Sequence, residues 1–295
     1  MLDFRLHTFL TLCETMNYTR AAERLCITQP AVSQHIHFLE AHYGCRLFTY
    51  QNKTLRLTPA GETLCGLAHS LAYNSRKIEE ALAHPGPAAL HIGATKTIGS
   101  FVIAPLVSRF LRAHPHCSFS LTVDNTDHLL AGLDRGVLDF ALIEGFFDKG
   151  RYGSRLMREE AFFGICAPDH PLAGQTVPLH RLFAENLIVR EPGSGTRDIF
   201  ETLVREHNHT LASFAGVTEI SDFSVMKTLV AQGLGITFVY APVAAAELAA
   251  GTLARIDLEG PPILREFNCV YLRDSLFPGL VDEWLTGAPG TYRAV

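Results

Sequence analysis

Residues 19–36, TRAAERLCITQPAVSQHI, combine two stretches of helical spacing with a short break between them. The first stretch has a face of small apolar residues that lets a neighbouring helix approach closely: Ala21, Ala22 and Leu25. Thr28 is a good N-cap for the second stretch, and Pro30 falls in its first turn, where a missing N–H costs no hydrogen bond. The pattern predicts two helices joined by a turn, the second extending from about Gln29 to His42.

The residues on either side complete a small domain. Helical spacing from Phe4 to Met16 predicts a preceding helix, and alternation over residues 54–57 predicts a two-stranded wing. The last helix has an apolar core face made of Val32, Ile36 and Leu39. Its opposite face is a polar stripe made of Gln29, Ser33, Gln34 and His37.

Such a set of elements is typical of a winged helix-turn-helix, whose last helix enters the major groove of double-stranded DNA. The polar stripe can donate to and accept from base edges, and Pro30 brings the start of the helix close to them. The residues of this helix and its cap expected at the DNA interface are Thr28, Gln29, Pro30, Ser33, Gln34 and His37. Phosphates are expected to contact Arg56 in the wing and Thr19 or Arg20 in the second helix.

The formal net charge of −5 fits a nucleic-acid binder only when it is divided along the chain. Residues 1–84 hold eight basic and seven acidic residues, a balance of +1, which leaves −6 for the remainder. Residues 1–84 are therefore the candidate surface for binding a polyanion. Such binding requires their positive charge to be concentrated on one face. A purely architectural DNA protein is the rival hypothesis, and it would be far more basic.

Composition and motifs argue against several other classes. Seven cysteines, an odd number without a CxxC pair, favour reduced thiols in a cytoplasm. The clusters HPHC and HNH lack zinc-site spacing, so we expect no metal. No apolar run is long enough for a membrane helix. Neither a nucleophile elbow nor a phosphate-binding loop is present, so we expect neither catalysis nor a cofactor.

A long helix is predicted from Pro59 to about His84. Its apolar residues form one narrow stripe: Leu64, Leu67, Leu71, Ile78 and Leu82. A stripe that narrow indicates pairing with another helix, so we expect a homodimer through this segment. Asn74 falls on the same seam, as residues that set the register of a coiled coil can.

The motif HPGPAAL marks the clearest domain boundary, and alternating strands and helices follow it. One α/β unit contains the predicted strands ALHIGA, SFSLTV and LDFALIEG, with a helix to about His114 after the first. A second unit contains FFGICA, NLIV, GVTEI and GITFVY, and FNCVYLR comes late in the chain. Two similar lobes with a mostly parallel sheet are implied. A solute-binding protein or a small-molecule enzyme would explain these lobes but not the first 58 residues.

The ordered elements AA, QPAVSQ, LE, LF and LTPAG resemble the LysR-type bacterial transcription regulators. The long helix and paired lobes extend the resemblance over the whole chain. The resemblance implies a two-lobed, periplasmic-binding-protein-like effector domain and a homotetramer built from two dimers, and it admits RNA polymerase as a further partner. One departure is Tyr50, which stands where the family often has arginine, so Arg46, Lys53 or Arg56 would have to supply that charge.

The same reasoning divides the chain into three parts. Residues 1–58 form the winged helix-turn-helix, and residues 59–87 form the linker helix and hinge. Residues 88–295 form the effector-binding domain. In that domain, lobe I covers about 88–163 and 268–295, and lobe II covers about 164–267.

Within the family, GATKTIGSFVIAP and REPGSGTR resemble the branch that controls sulfur assimilation and carbon fixation. The resemblance places a small-molecule effector between the lobes, where ligands lie at the carboxyl ends of parallel strands. The residues expected to contact it are Thr95, Thr97, Glu144, Gly193, Ser194, Gly195, Thr196, Arg197 and Asp222. An ionised Glu144 would repel a fully ionised anionic effector. The sequence therefore does not distinguish an oxyanion such as sulfite from a small carboxylate or a zwitterion.

Overall fold

The computed structural model describes residues 3–51, 54–83, 89–273, 275 and 278–286. Its N-terminal domain contains three helices and a wing: α1 Phe4–Thr15, α2 Tyr18–Leu25, α3 Gln29–Tyr43, β1 Phe48–Gln51 and β2 Thr54–Leu57. The two wing strands pair antiparallel. Side-chain oxygens of Asn17 and Thr28 cap α2 and α3, as short polar residues do at helix starts.

One apolar cluster holds these helices and the wing together. Phe9, Leu12, Ala21 and Val32 are fully buried in it. Because α2 offers only small side chains at this point, α1 and α3 both pack against it. The polar side of α3 is thereby left on the surface.

A single long helix, α4 Pro59–Ala83, follows the wing. Its first half packs on the core of the N-terminal domain. Its second half is fixed to the C-terminal part by polar contacts. Lys77 Nζ lies 2.7 Å from Asp139 Oδ1, and Arg76 donates to the Gly136 carbonyl at 2.9 Å.

The remainder of the chain forms two lobes. Lobe I contains β3 Ala89–Thr95, α5 Lys96–Phe101, α6 Ala104–Ala113, β4 Ser118–Asp124, α7 Thr126–Asp134, β5 Phe140–Ile143 and α11 Pro278–Thr286. Lobe II contains β7 Thr176–Val177, β8 Asn186–Val189, α8 Gly195–Glu206, β9 Gly216–Glu219, α9 Phe223–Ala231, β10 Thr237–Tyr240, α10 Ala241–Ala250 and β11 Ala254–Leu258. Two long strands, β6 Tyr152–Cys166 and β12 Leu264–Leu272, run through both.

The two long strands join the lobes into one sheet. In lobe I, β3 lies parallel between β4 and β5, and β12 pairs antiparallel with β5 and β6. The register of β12 on β6 shifts between Phe267 and Asn268. In lobe II, β10 and β11 each pair antiparallel with β6, and β8 pairs parallel with β9. Within the described residues, no helix has both the length and the apolar character needed to cross a membrane.

The predicted fold class is confirmed, with periplasmic binding proteins as a loose analogue of the two-lobed part. Three predictions about these elements were wrong. The main sheet is mixed rather than mostly parallel, because the two long strands pair antiparallel with each other and with β5, β10 and β11. The helix expected to continue to His114 is divided into α5 and α6, because Pro105 has no N–H to donate to a carbonyl of the preceding turn. The strand expected only at FFGICA is the end of β6, which has 15 residues.

Candidate functional site

The exposed face of α3 has the composition of a base-reading surface. Gln29, Gln34 and His37 are exposed, and the Gln29 side chain donates to Ser33 Oγ at 3.0 Å. The opposite face, with Val32, Ile36 and Leu39, is at most 3% exposed. The polar stripe therefore lies on the outside, with donors and acceptors of the kind that read base edges. Thr28 caps the helix and Pro30 is exposed at its start.

The candidate phosphate contacts lie on either side of this stripe along the chain. Thr19 and Arg20 are exposed in the first turn of α2, and Arg56 is exposed in the wing. Lys53 lies outside the described residues. Arg46 is held by Glu40 at 2.9 Å, so it is already engaged within the domain. Tyr50, which replaces the expected arginine, is 66% exposed.

A second candidate site lies between the lobes, where two threonines meet. Thr97 of α5 and Thr196 of α8 are buried, and their hydroxyl oxygens are 3.4 Å apart. Each lies in the first turn of its helix, after a strand that points its carboxyl end at the cleft. Thr95, also buried, donates to the Leu142 carbonyl at 3.4 Å. Three of the predicted effector residues are thus close together.

Glu144 is buried beside these threonines. Its Oε2 finds no hydrogen-bond partner among the described residues. Burial raises the pKa of this carboxyl to about 7, against a hydrogen bond with Thr97 and the charge of Arg190, which lower it. Near neutral pH, Glu144 can therefore either donate or accept a hydrogen bond.

The loop before α8 lies close to lobe I. A Cβ placed on Gly195 would come within 2.9 Å of the Gly145 Cα, so the two backbones approach too closely for any side chain. Gly193 has a φ of +80°, which glycine adopts without strain. Ser194 is buried, and among the described residues no side chain caps the first turn of α8. Its free N–H groups are donors suited to an anion.

Two predicted residues are engaged elsewhere in the described structure. Arg197 donates to Glu201 at 2.6 Å, to Glu219 at 2.9 Å and to the Arg190 carbonyl at 3.0 Å, so its guanidinium is bound within lobe II. Asp222 caps α9 by accepting from the Val225 N–H at 3.0 Å. Sequence spacing placed both near the cleft but could not show these competing partners.

Two cations of the cleft were not among the predicted site residues. Lys96 of lobe I donates to Glu191 of lobe II at 2.9 Å and to the Ser221 carbonyl at 3.4 Å, so it links the lobes. Arg190 is 3% exposed, pairs with Glu191 at 2.8 Å and stacks over Phe223. Lys96 lies within GATKTIGSFVIAP and Arg190 is the first residue of REPGSGTR, so their positive charge was the signal that could have identified them.

A cavity of about 400 Å³ opens beside Glu144. Its walls come from the loop after β5, from α8 and from the two long strands, including Phe147, Ile199 and Arg265. The volume suits a small molecule rather than a polymer. Among the residues that the structure describes, no group of three His, Cys, Asp or Glu side chains could hold a metal ion.

Two family models match this chain. The "Bacterial regulatory helix-turn-helix protein, lysR family" model covers residues 4–62, and the "LysR substrate binding domain" model covers residues 86–286. The RuBisCO operon transcriptional regulator of Allochromatium vinosum is 31% identical over 274 residues, covering 91% of this chain and 89% of that protein. Further RuBisCO-operon and CysL regulators among the relatives confirm the predicted branch.

Solved structures have the same fold. A full-length variant of OxyR from Pseudomonas aeruginosa aligns with a TM-score of 0.67 at 24% identity, covering 99% of this chain and 98% of that one. The CcmR regulatory domain from Synechocystis, in complex with 2-PG, aligns with a TM-score of 0.60 at 23% identity, covering 69% of this chain and 98% of that one. The two halves of the chain thus match the two parts of one known architecture. The chain belongs to the LysR family, whose members are transcriptional regulators with an effector-binding domain rather than enzymes.

Proposed function

We propose that this regulator binds operator DNA through the polar stripe of α3 and responds to a small anionic effector held between its lobes. The observation that carries the effector proposal is the meeting of Thr97 and Thr196 across the cleft, beside the buried carboxyl of Glu144. The effector residues proposed on this basis are Thr95, Thr97, Glu144, Gly193, Ser194, Gly195 and Thr196.

The donors that converge on the cleft favour a negative group. The first turn of α8 supplies N–H groups at the positive end of its helix dipole. The threonine hydroxyls can donate, and Lys96, which is paired with Glu191, is a further donor at the edge. A small anion fits the adjoining cavity of about 400 Å³.

The protonation state of Glu144 determines which groups of the effector it can bind. With a pKa of about 7, its carboxyl is half protonated at neutral pH and can donate to an anionic oxygen. When ionised, it would accept from an ammonium or hydroxyl group of the same ligand. The candidates are therefore an oxyanion such as sulfite, a small carboxylate and a zwitterion. The bound 2-PG of the CcmR domain makes that compound worth including in a ligand panel.

On the DNA side, we propose that Gln29, Ser33, Gln34 and His37 read bases, and that Thr19, Arg20, Lys53 and Arg56 hold phosphates. Two copies paired along α4 would place two N-terminal DNA-binding domains on a symmetric site, and two such dimers would form a tetramer. The effector would act by shifting the equilibrium between different arrangements of the two lobes. This shift would change the spacing of the DNA-binding domains. The compartment of action would be the cytoplasm.

Calorimetry on the full chain tests the effector proposal directly. The panel is sulfite, sulfate, thiosulfate, phosphate, 2-PG and small carboxylates, each with wild type, Thr97→Val and a control, Thr252→Val, at an exposed position of lobe II. We expect at least one anion to bind wild type and the control alike and to lose most of its affinity for Thr97→Val. Binding of no anion would reject the anionic effector, and binding unchanged in Thr97→Val would reject the proposed site at Thr97.

DNA binding is tested separately, by selecting sequences from a random duplex pool with the purified protein. Enrichment of a symmetric sequence with two half-sites supports the proposal. Recovery of unenriched DNA would contradict base reading by α3, whatever the calorimetry shows.

A further inference from the structure

The cavity beside Glu144 contains a cation that the proposed anion site does not use. Arg265 lies on β12 and lines this cavity together with Glu144. Its Nε is buried and finds no hydrogen-bond partner among the described residues. Glu160, which is opposite Arg265 in the register of β6 and β12, pairs with Arg158 at 2.6 Å instead. The positive charge of Arg265 is therefore not matched by the carboxylate nearest to it on the adjacent strand.

The other charged side chains of the cavity are engaged or exposed. Lys149 donates to Glu266 at 2.8 Å, so these two charges offset each other. Glu159 lines the cavity but is exposed, and water and salt screen its charge. Among the described residues of the cavity wall, two buried side-chain atoms lack a partner: Arg265 Nε and Glu144 Oε2. A buried polar atom without a partner costs free energy, so both atoms favour a ligand that supplies one.

The cavity adjoins the pair of threonines that meet between the lobes. Ile199 lines the cavity and lies three residues after Thr196 on α8, so their side chains are neighbours on the helix surface. Gly145 lines the cavity as well, and a Cβ placed on Gly195 would come within 2.9 Å of the Gly145 Cα. The first turn of α8 thus lies against the cavity wall. A ligand held at Thr196 can therefore extend into the cavity.

We infer that Arg265 binds a second anionic group of the effector, so that the effector is a small molecule with two acidic groups rather than a single oxyanion. The first group is the anion of the proposed function, held at Thr97 and Thr196, on which this inference rests. The guanidinium of Arg265 offers paired N–H donors that match a carboxylate or a phosphoryl group. The volume of about 400 Å³ leaves room for a short carbon chain between the two groups.

Glu144 restricts what the connecting chain can carry. Its Oε2 lacks a partner and the residue lines the cavity. A hydroxyl on the chain would give this atom a hydrogen bond, whereas a third acidic group would be repelled by the ionised carboxyl. The class of compound that fits is therefore a short dicarboxylate, or a carboxylate that also carries a sulfonate or phosphoryl group.

Calorimetry on the full chain with matched pairs of ligands tests this inference. The two members of a pair differ only by a second acidic group: acetate and malonate, propionate and succinate, methanesulfonate and sulfoacetate, methylphosphonate and phosphonoacetate. We expect at least one two-acid compound to bind wild type about ten- to a hundredfold more tightly than its one-acid partner, as hydrogen bonds to a charged group would give. Arg265→Gln should remove this advantage and leave the affinity of the one-acid compound unchanged.

Two further variants control for charge. Arg255→Gln removes the same charge from an exposed position of lobe II and should leave both affinities as in wild type. Arg265→Lys keeps the charge but not the paired donors, and it should retain only part of the advantage. An advantage that survives in Arg265→Gln, or a loss of equal size for both members of the pair, would overturn the role of Arg265.

The wild-type comparison does not depend on any variant folding. Equal affinities for the two members of every pair would overturn the second anionic group. The proposed anion site is tested apart from it, because binding of a one-acid compound that Thr97→Val abolishes would support that site even when Arg265 has no effect. Binding of none of these compounds would overturn both.

Discussion

Gln34 shows how far single residues can be assigned from sequence. Its position follows from helical periodicity, because Val32 and Ile36 must face the core and Gln34 then points away from it. The structure leaves Gln34 exposed on α3, which is where a base-reading side chain has to be. The proposed role depends on this exposure together with the capacity of an amide to donate and accept at one base.

Replacing Gln34 by Ala should therefore reduce specificity rather than general affinity. We expect a loss of about 1–3 kcal/mol on the selected operator and little change on random duplex. Fluorescence anisotropy titrations with both DNAs measure the two quantities. Gln232→Ala, at an exposed position of the effector domain, is the control. An unchanged ratio between operator and random DNA would mean that Gln34 reads no base.

Glu144 was also singled out from the sequence, but its state required the structure. Burial raises its pKa from 4.5 to about 7, so the folded protein prefers the protonated form. The contribution of Glu144 to stability is thus fully present below about pH 4.5 and is lost as the pH rises through 7. Arg190 and the Thr97 hydroxyl face the carboxyl and moderate the shift.

Glu144→Gln should accordingly gain stability over wild type as the pH rises. We expect the difference in unfolding free energy to grow by up to about 3 kcal/mol between pH 5 and 8. Urea unfolding of both proteins across that range gives the difference, with Glu259→Gln, at an exposed position, as the comparison. A difference that does not vary with pH would show that Glu144 is ionised at all these pH values.

The partners of the Arg197 guanidinium could not be predicted from the sequence. The motif REPGSGTR places an arginine beside a glycine loop, which is a reasonable anion contact. In the structure, Glu201 lies one helical turn away and Glu219 on the neighbouring strand, and both bind the guanidinium. The second partner is 22 residues distant, so only the three-dimensional pairing of β8 and β9 brings it close.

Among the elements, α4 was the most predictable because it depends on local periodicity alone. Its apolar stripe is left uncovered in the single chain, where Leu67, Leu71, Ile78 and Leu82 are 42–84% exposed. By contrast, most of β6 was missed, since its first ten residues alternate poorly and carry several charges. Pairing with β12 makes these residues a strand.

The uncovered stripe predicts the result of a charge placed on it. Leu71→Asp should lower the oligomeric state of the protein at micromolar concentration, because pairing along α4 would bury the carboxylate against a second apolar helix. Operator affinity should fall by more than about tenfold, since two DNA-binding domains no longer bind together. Sedimentation measures the first effect and anisotropy the second. Glu79→Ala, exposed on the same helix outside the stripe, should change neither. A Leu71→Asp protein with the same oligomeric state as wild type would exclude α4 as an interface.

For the whole molecule, the order of parts followed from changes in sequence pattern, whereas the relation between the lobes did not. Alternating strands and helices predict two α/β units, but nothing local indicates that β6 and β12 run through both and form their connection. The same limit hid Lys96, whose partner Glu191 is 95 residues away in the other lobe. Contacts of this kind depend on lobe arrangement and are the ones an effector could change.

Lys96 therefore provides a test of coupling between lobe closure and effector binding. In the described arrangement, Lys96 links lobe I to Glu191 and to the Ser221 carbonyl, while Thr97 next to it meets Thr196. If the effector binds between closed lobes, Lys96→Ala should weaken its binding by about two- to fivefold, the value of one partly exposed ion pair. Arg255→Ala removes a pair that lies within lobe II, with Asp257, and should leave effector affinity unchanged. Calorimetry on both variants compares the two ion pairs at equal charge change. Equal losses in both would point to general electrostatic attraction, whereas a loss confined to Lys96→Ala would tie binding to the contact between lobes.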